Sequence, residues 1–338
     1  MICIRADANK KIGTGHIMRC LSIAAELKKL GKEVLFVSAD EEAAGILESR
    51  GQDFYVLATA YDNMEAELPA LLPLLAERKP ELLLIDSYFV TPHYLEQVRA
   101  CVKTAYMDDL CAFSYPVDVV INYNIYADLL PYERQSLYLL GCTYAPLRKE
   151  FRSVPYTVRE KAENILITTG GGDMYNLAGQ IVRAALAYVC TSKFQYHVVS
   201  GAMNNNLADL REMERENPNV HVHCNVANMA ELMQECDIAV TAGGSTVYEL
   251  CAVGVPFLCF SFVDNQERIV ETFVEKKLVA YGGNYCKDGA SVIEHIVEHM
   301  AALASNQETR ESYSRKERAL VDGLGAERIV TILDRGRK

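Results

Sequence analysis

Apolar residues are gathered into short runs, and the stretches between them carry apolar positions at helical spacing. Met1 to Ala6 is the first run and predicts a buried strand; behind it Ile17, Leu21, Ala24, Ala25 and Leu27 fall on one face of a helix. Further runs predict strands at Glu33–Ser38, Gly51–Leu57, Glu81–Asp86, Thr104–Met107 and, last in this half, Val119–Asn122. Leu68–Glu77 and a stretch from about His93 to Cys101 predict helices between them. Strands that alternate with helices in this way build an α/β fold with a mostly parallel, doubly wound sheet.

The pattern weakens from Gly141 to Val158, where Pro146, Pro155, Arg148, Lys149 and Arg152 suggest a linker. It then starts again. Asn164–Thr168 predicts a strand, Thr169–Asp173 a glycine turn and Leu177–Val189 a helix. Strands follow at Gln195–Ser200, Val220–Cys224, Asp237–Val240 and Val255–Phe260, with a short helix at Met229–Glu235 and a helical remainder, polar from about Glu308. A chain of 338 residues is long for one domain and comfortable for two. The expected domains are residues 1–150 and 151–338, with the last helix free to cross back onto the first.

Chemistry concentrates at strand ends. Gly13 and Gly15 let backbone approach a ligand, and the free N–H groups of the following helix favour an anion. His16 stands at the mouth of that turn, either as a general base, since imidazole titrates near neutrality, or as a residue that caps the helix. Asp86 and Tyr88 end the Glu81–Asp86 run, and ligands of parallel sheets gather beyond such ends, so both should face the crevice of His16; the alternatives are a loop cap and an exposed aromatic. Gly243, Gly244, Ser245 and Thr246 follow another strand and offer N-caps and backbone donors to a diphosphate. Glu249, one turn later, could accept from ribose hydroxyls. The amides Asn265 and Gln266 could bind a sugar or a phosphate without charge, or simply start a helix.

Composition narrows the partners. A net charge of -11 argues against nucleic acid or an anionic membrane, which need a dense basic surface. No apolar run reaches the roughly 18 residues of a membrane span, and the first residues lack the features of a secretory signal; the expectation is a cytoplasmic protein. The eleven cysteines show no metal-ribbon spacing and read as small buried hydrophobes. His221, His223 and Cys224, and the pair His295 and His299, could be imagined as metal ligands, but strand alternation and a solvated helix face explain them; no metal site is expected.

The ordered set Arg5-Ala6-Asp7, Ile12 to Arg19, Asp86-Ser87-Tyr88, Leu139 to Phe151, Gly170 to Asp173 with Asn176, and Asn265-Gln266 resembles the UDP-sugar hydrolases of pseudaminic acid biosynthesis over nearly the whole chain. The chain departs from that pattern at Pro146 and Phe89, where leucine and glycine are expected. The resemblance implies a glycosyltransferase-B-like fold of two Rossmann-like domains facing across a cleft, with the nucleotide held mainly by the second. It implies His16 as the base that activates water, Tyr88 and Asn265 in the sugar pocket, and Gly243, Gly244, Ser245, Thr246, Glu249 and Gln266 on UDP. Gly13, Gly15, Arg19, Asp86, Gly170 and Gly171 join the substrate-binding set.

The implied reaction releases UDP from UDP-2,4-diacetamido-2,4,6-trideoxy-β-L-altropyranose with inversion, without metal or cofactor. Because UDP leaves as a stabilised anion, one base suffices where ordinary glycosidases need two carboxylates. The competing expectations are a transferase of the same fold using a UDP-N-acetylhexosamine, a UDP-sugar 2-epimerase and a nucleotide-sugar binding protein without turnover. The pathway implied is one that decorates flagellin or other surface glycans; sugar stereochemistry and oligomeric state are left open.

Overall fold

In the computed structural model, which describes residues 1–133, 136–201 and 204–335, the chain divides into two compact units. The first is Met1–Leu147 together with the segment from Leu324 onward; the second is Arg148–Gly323.

Among the described residues, the first unit runs β1 (Ile2–Ala6), α1 (Gly15–Lys29), β2 (Val34–Ser38), α2 (Ala44–Ser49), β3 (Asp53–Val56), α3 (Leu68–Arg78), β4 (Leu82–Asp86), α4 (Pro92–Cys101), β5 (Thr104–Met107), β6 (Val119–Asn122) and β7 (Leu137–Leu140). These strands form one sheet in the order β3-β2-β1-β4-β5-β6-β7, parallel throughout. Strands covered on both faces read as continuous apolar runs, which is why β1 and β4 were conspicuous in sequence. The sequence pattern placed the last strand of this half at Val119–Asn122, but β7 pairs beyond it. Its Leu-Tyr-Leu-Leu is short and, at the edge of the sheet, only part-buried, with Leu137 half exposed.

The second unit runs β8 (Asn164–Thr168), α5 (Leu177–Ala187), β9 (Gln195–Ser200), α6 (Leu207–Glu216), β10 (Val220–Cys224), α7 (Met229–Glu235), β11 (Ile238–Ala242), α8 (Thr246–Val253), β12 (Phe257–Ser261), α9 (Asp264–Glu275), β13 (Ala280–Asn284), α10 (Tyr285–Asp288), α11 (Ser291–Ser305) and α12 (Gln307–Leu320). Its parallel sheet has the order β10-β9-β8-β11-β12-β13. β13 falls where the sequence suggested only helix, because its Ala-Tyr-Gly-Gly-Asn has little strand propensity. Packing requires its glycines: a Cβ on Gly282 would lie 2.7 Å from Leu258 Cδ2, and one on Gly283, at φ +110, would lie 2.9 Å from Val292 Cγ2. The last helix, α13 (Gly325–Arg335), belongs to the first unit and packs on α1, with Asp334 3.0 Å from Lys32 Nζ.

One member of β1 is charged and fully buried. Arg5 bonds both oxygens of Glu67 and reaches Asp7 Oδ2 at 2.6 Å, while Tyr94 donates to Glu67 Oε1 at 2.7 Å. Burial works against the charge on Arg5, but Glu67 and Asp7 outweigh it and raise its pKa above the ordinary value. Asp7 also accepts the Ala39 amide, so the network ties the end of β1 to the end of β2. Removing one partner strands a buried charge. Glu67→Ala should therefore destabilise the first unit by about 3–5 kcal/mol, read as a lower denaturant midpoint by circular dichroism; an unchanged midpoint would show that the network is dispensable.

Candidate functional site

Sheet order explains why residues distant in sequence meet. In the first unit the strand order reverses between β1 and β4, and β5 and β6 follow β4. The segments at the carboxyl ends of these four strands supply His16, Asp86, Asp109 and the pair Tyr123 and Asn124. A parallel sheet opens its crevice at such a reversal.

The side chains form a closed ring. His16 Nδ1 lies 2.6 Å from Asp86 Oδ1, and Arg19 holds both oxygens of Asp86, each at 2.6 Å. Arg19 Nη1 reaches across to Asp109 at 3.0 and 3.1 Å. Tyr88 donates to Asp109 Oδ2 at 3.0 Å, and its ring packs edge-on against His16 with centroids 4.7 Å apart, which completes the circuit. Asn124 Nδ2 donates to Asp109 Oδ1 at 2.7 Å, and Arg19 lies over the Tyr123 ring.

The electrostatics of the ring follow from its pairs. Burial pushes the Asp86 pKa up, but Arg19 and His16 outweigh that and hold the carboxyl well below the usual carboxylate range. An ionised Asp86 accepts the proton of His16 Nδ1, so the Nε2 lone pair is left free. Burial raises the Tyr88 pKa and the Asp109 carboxylate raises it further, so the phenol stays a donor. The two carboxylates thus share one guanidinium, and Asp86 alone pairs with the imidazole.

Among the positions singled out in sequence, Gly13 has φ +73, a left-handed turn that L side chains rarely adopt, and Gly15 opens α1. Asp109, Tyr123 and Asn124 carried no sequence signal beyond their place at strand ends. Phe89 turns to the apolar core and packs edge-on against Tyr61, with centroids 5.6 Å apart.

In the second unit the sheet reverses between β8 and β11, and both following turns are rich in glycine. They differ in what fills the helix start. At α5 the Asp173 carboxylate accepts the amides of Leu177 at 2.7 Å and Ala178 at 2.9 Å, so an internal anion already occupies the donors behind Gly170 and Gly171. At α8 no side chain caps the helix, and the amides of Ser245 and Thr246 have no acceptor among the described residues. Val247 and Tyr248 donate to Gly244 and Ser245, so two amides at this helix start remain open to an anion, and α8 is the open cradle.

Glu249 sits in the first turn of α8 and pairs with Arg148. Gln266, in the first turn of α9, accepts the Phe262 amide at 3.1 Å, and Asn265 beside it is exposed. The imagined metal ligands of β10 find another partner. His197 stacks between His221 and His223, its pKa pushed down to about 4 by burial and by those two neighbours, while Cys224 packs against the core. Among the described residues no group of three or more His, Cys, Asp or Glu could hold a metal ion, and no helix is long and apolar enough to cross a membrane.

Residues 164–323 match the glycosyltransferase family 28 C-terminal domain. The family resemblance drawn from the sequence is supported as well. The chain is 27% identical, over 82% of its length and 96% of the relative's, to UDP-2,4-diacetamido-2,4,6-trideoxy-beta-L-altropyranose hydrolase of Campylobacter jejuni. It is 26% identical over 81% of its length to an uncharacterized protein of Methanocaldococcus jannaschii, of which it spans 58%. Among solved structures, MurG of Acinetobacter baumannii superposes with a TM-score of 0.70 at 14% identity, covering 99% of each chain. The fold is that of the glycosyltransferase-B enzymes.

The close approach of α9 to the α8 turn makes Gly243 sensitive. A Cβ there would lie 2.5 Å from Val270 Cγ2 and 2.9 Å from the Gln266 carbonyl, whereas one on Gly244 would meet nothing within 4 Å. Gly243→Ala should cost about 1–3 kcal/mol and Gly244→Ala less than about 1 kcal/mol, seen as a drop in melting temperature for the first alone. Equal effects would show that the glycines are not set by packing.

Proposed function

We propose that this protein hydrolyses a UDP-linked diacetamido-trideoxy sugar, with UDP-2,4-diacetamido-2,4,6-trideoxy-β-L-altropyranose as the first candidate. The observation that carries the reading is the buried His16–Asp86 pair within its ring of Arg19, Asp109 and Tyr88. The name of the Campylobacter relative supports the reaction and the substrate class.

His16 Nε2 takes a proton from water as the water oxygen bonds to the anomeric carbon. The bond from that carbon to the phosphate oxygen breaks, and its electron pair leaves with UDP. Asp86 stabilises the imidazolium and keeps its ring in one tautomer; the products are UDP and the free sugar with inverted configuration. The open amides of Ser245 and Thr246 bind the diphosphate and favour the charge that develops on it. Tyr88 and Asn265 contact the sugar, Gln266 and Glu249 the nucleotide. Gly13, Gly15 and Arg19 shape the first unit's loop and ring, and Gly170 and Gly171 line the turn after β8.

The match to glycosyltransferase family 28 favours a second reading, in which the same base deprotonates an acceptor alcohol. One assay separates them: the protein with the UDP-sugar, EDTA, ¹⁸O-labelled water and no acceptor. Hydrolysis predicts stoichiometric UDP and the label in the sugar, whereas label in UDP would overturn attack at carbon and absence of turnover would favour the transferase. His16→Ala should lower turnover by about 10²–10⁴-fold with UDP affinity kept, and Asp86→Asn should also slow it by releasing the tautomer. A His16→Ala variant with full activity would remove His16 as the base.

A further inference from the structure

Glu249 does not stand alone. Arg148, at the start of the second unit, places Nη2 3.3 Å from Glu249 Oε1 and Nη1 3.1 Å from Glu150 Oε1. Its guanidinium lies over the Phe151 ring at 5.3 Å, and Glu150 is itself fixed by the Met229 amide at 3.1 Å. Glu150 and Phe151 thus hold the guanidinium, which in turn holds one carboxylate oxygen of Glu249. The other, Glu249 Oε2, accepts no hydrogen bond among the described residues. The side chains of Arg148 and Glu249 are only 22% and 19% exposed, so their pairing is less screened than one at an open surface.

Resting on the nucleotide-sugar reading above, we propose that Arg148 is a positioning residue for ribose recognition. By holding Glu249 Oε1 it presents Oε2 as a fixed acceptor for the ribose hydroxyls of a nucleoside diphosphate bound at the α8 start. A planar guanidinium suits that task because it fixes direction as well as charge. A site built to bond hydroxyls discriminates against a nucleotide that lacks them, since its polar atom is then left unpaired.

The charges give the proposal a pH signature. Burial raises the Glu249 pKa, Arg148 opposes that rise, and Glu150 adds to it. Of the other elements packed on α8, α7 carries Glu231, bonded by Asn228, and α12 carries the buried Glu317 and Arg318, which passes Gly254 at the far end of the helix; Arg148 and Glu150 are the charges that act on Glu249. Protonated Glu249 is a poorer acceptor, so UDP affinity should fall as pH drops through its pKa. Without Arg148 the pKa rises further, and the fall should begin at higher pH.

The test is calorimetric titration of wild type, Arg148→Gln, Arg148→Lys and Glu249→Gln with UDP and with 2′,3′-dideoxy-UDP, from mildly acidic to neutral pH. Wild type should prefer UDP by about tenfold, the scale of a hydrogen bond to a charged group. Arg148→Gln should lose most of that preference and shift its acid-side loss of affinity to higher pH. Arg148→Lys should restore both in part, and Glu249→Gln should lack preference and pH response alike. An Arg148→Gln protein with the wild-type preference and pH response would overturn the proposal. So would an equal weakening for both nucleotides without rescue by lysine, which is what contact with phosphate or mere bracing predicts. Failure of wild type to bind UDP would overturn the nucleotide reading and this inference with it. Preserved binding with altered selectivity in none of the variants would overturn the inference alone.

Discussion

The first unit's site depends on Asp86 remaining ionised while almost wholly buried. A carboxylate in that position is costly unless its oxygens are satisfied. Arg19 and His16 satisfy them, and Arg19 is in turn held by Asp109. The chain of dependence then reaches Tyr88, whose hydroxyl bonds Asp109 while its ring covers the edge of His16. The orientation of a single imidazole is thus decided by four side chains from three strand ends. The mechanism proposed for His16 needs this rigidity, because a base with two available tautomers would present its lone pair only part of the time.

The two units repeat one architecture and use it differently. Each sheet reverses at the same place in its order, and each reversal carries a glycine turn before a helix. In the first unit the turn delivers a side chain for chemistry. In the second, two such turns compete as anion sites, and the difference between them is a single carboxylate: Asp173 fills the start of α5, while the start of α8 has no side-chain cap. Glycine content alone therefore says little about anion binding; what matters is whether the protein has already satisfied the amides.

Most strands were legible because burial on both faces turns them into apolar runs with few alternatives. β7 and β13 were not, for different reasons. β7 is a short, part-buried edge strand, and β13 contains two glycines of low strand propensity at positions where a side chain would meet Leu258 or Val292. Arg5 shows the same limit at one residue: its charge is out of place in a buried strand until Glu67, far along the chain, is known to meet it. His16, Asp86 and Tyr88 could be singled out by their place after strands, whereas Asp109, Tyr123 and Asn124 look like ordinary loop residues.

The sequence by itself determined the alternation of strands and helices, the position of each glycine turn and the residue types at the strand ends. Those are local properties, set by side-chain period and backbone freedom within a few residues. Only the tertiary structure decided which strand ends are neighbours, that Arg19 bridges two carboxylates, that Asp173 closes one helix start and that Arg148 reaches Glu249. Each of these is a pairing between residues remote in sequence, and the order of strands in a sheet, which brings such residues together, is not written in the pattern of any one strand.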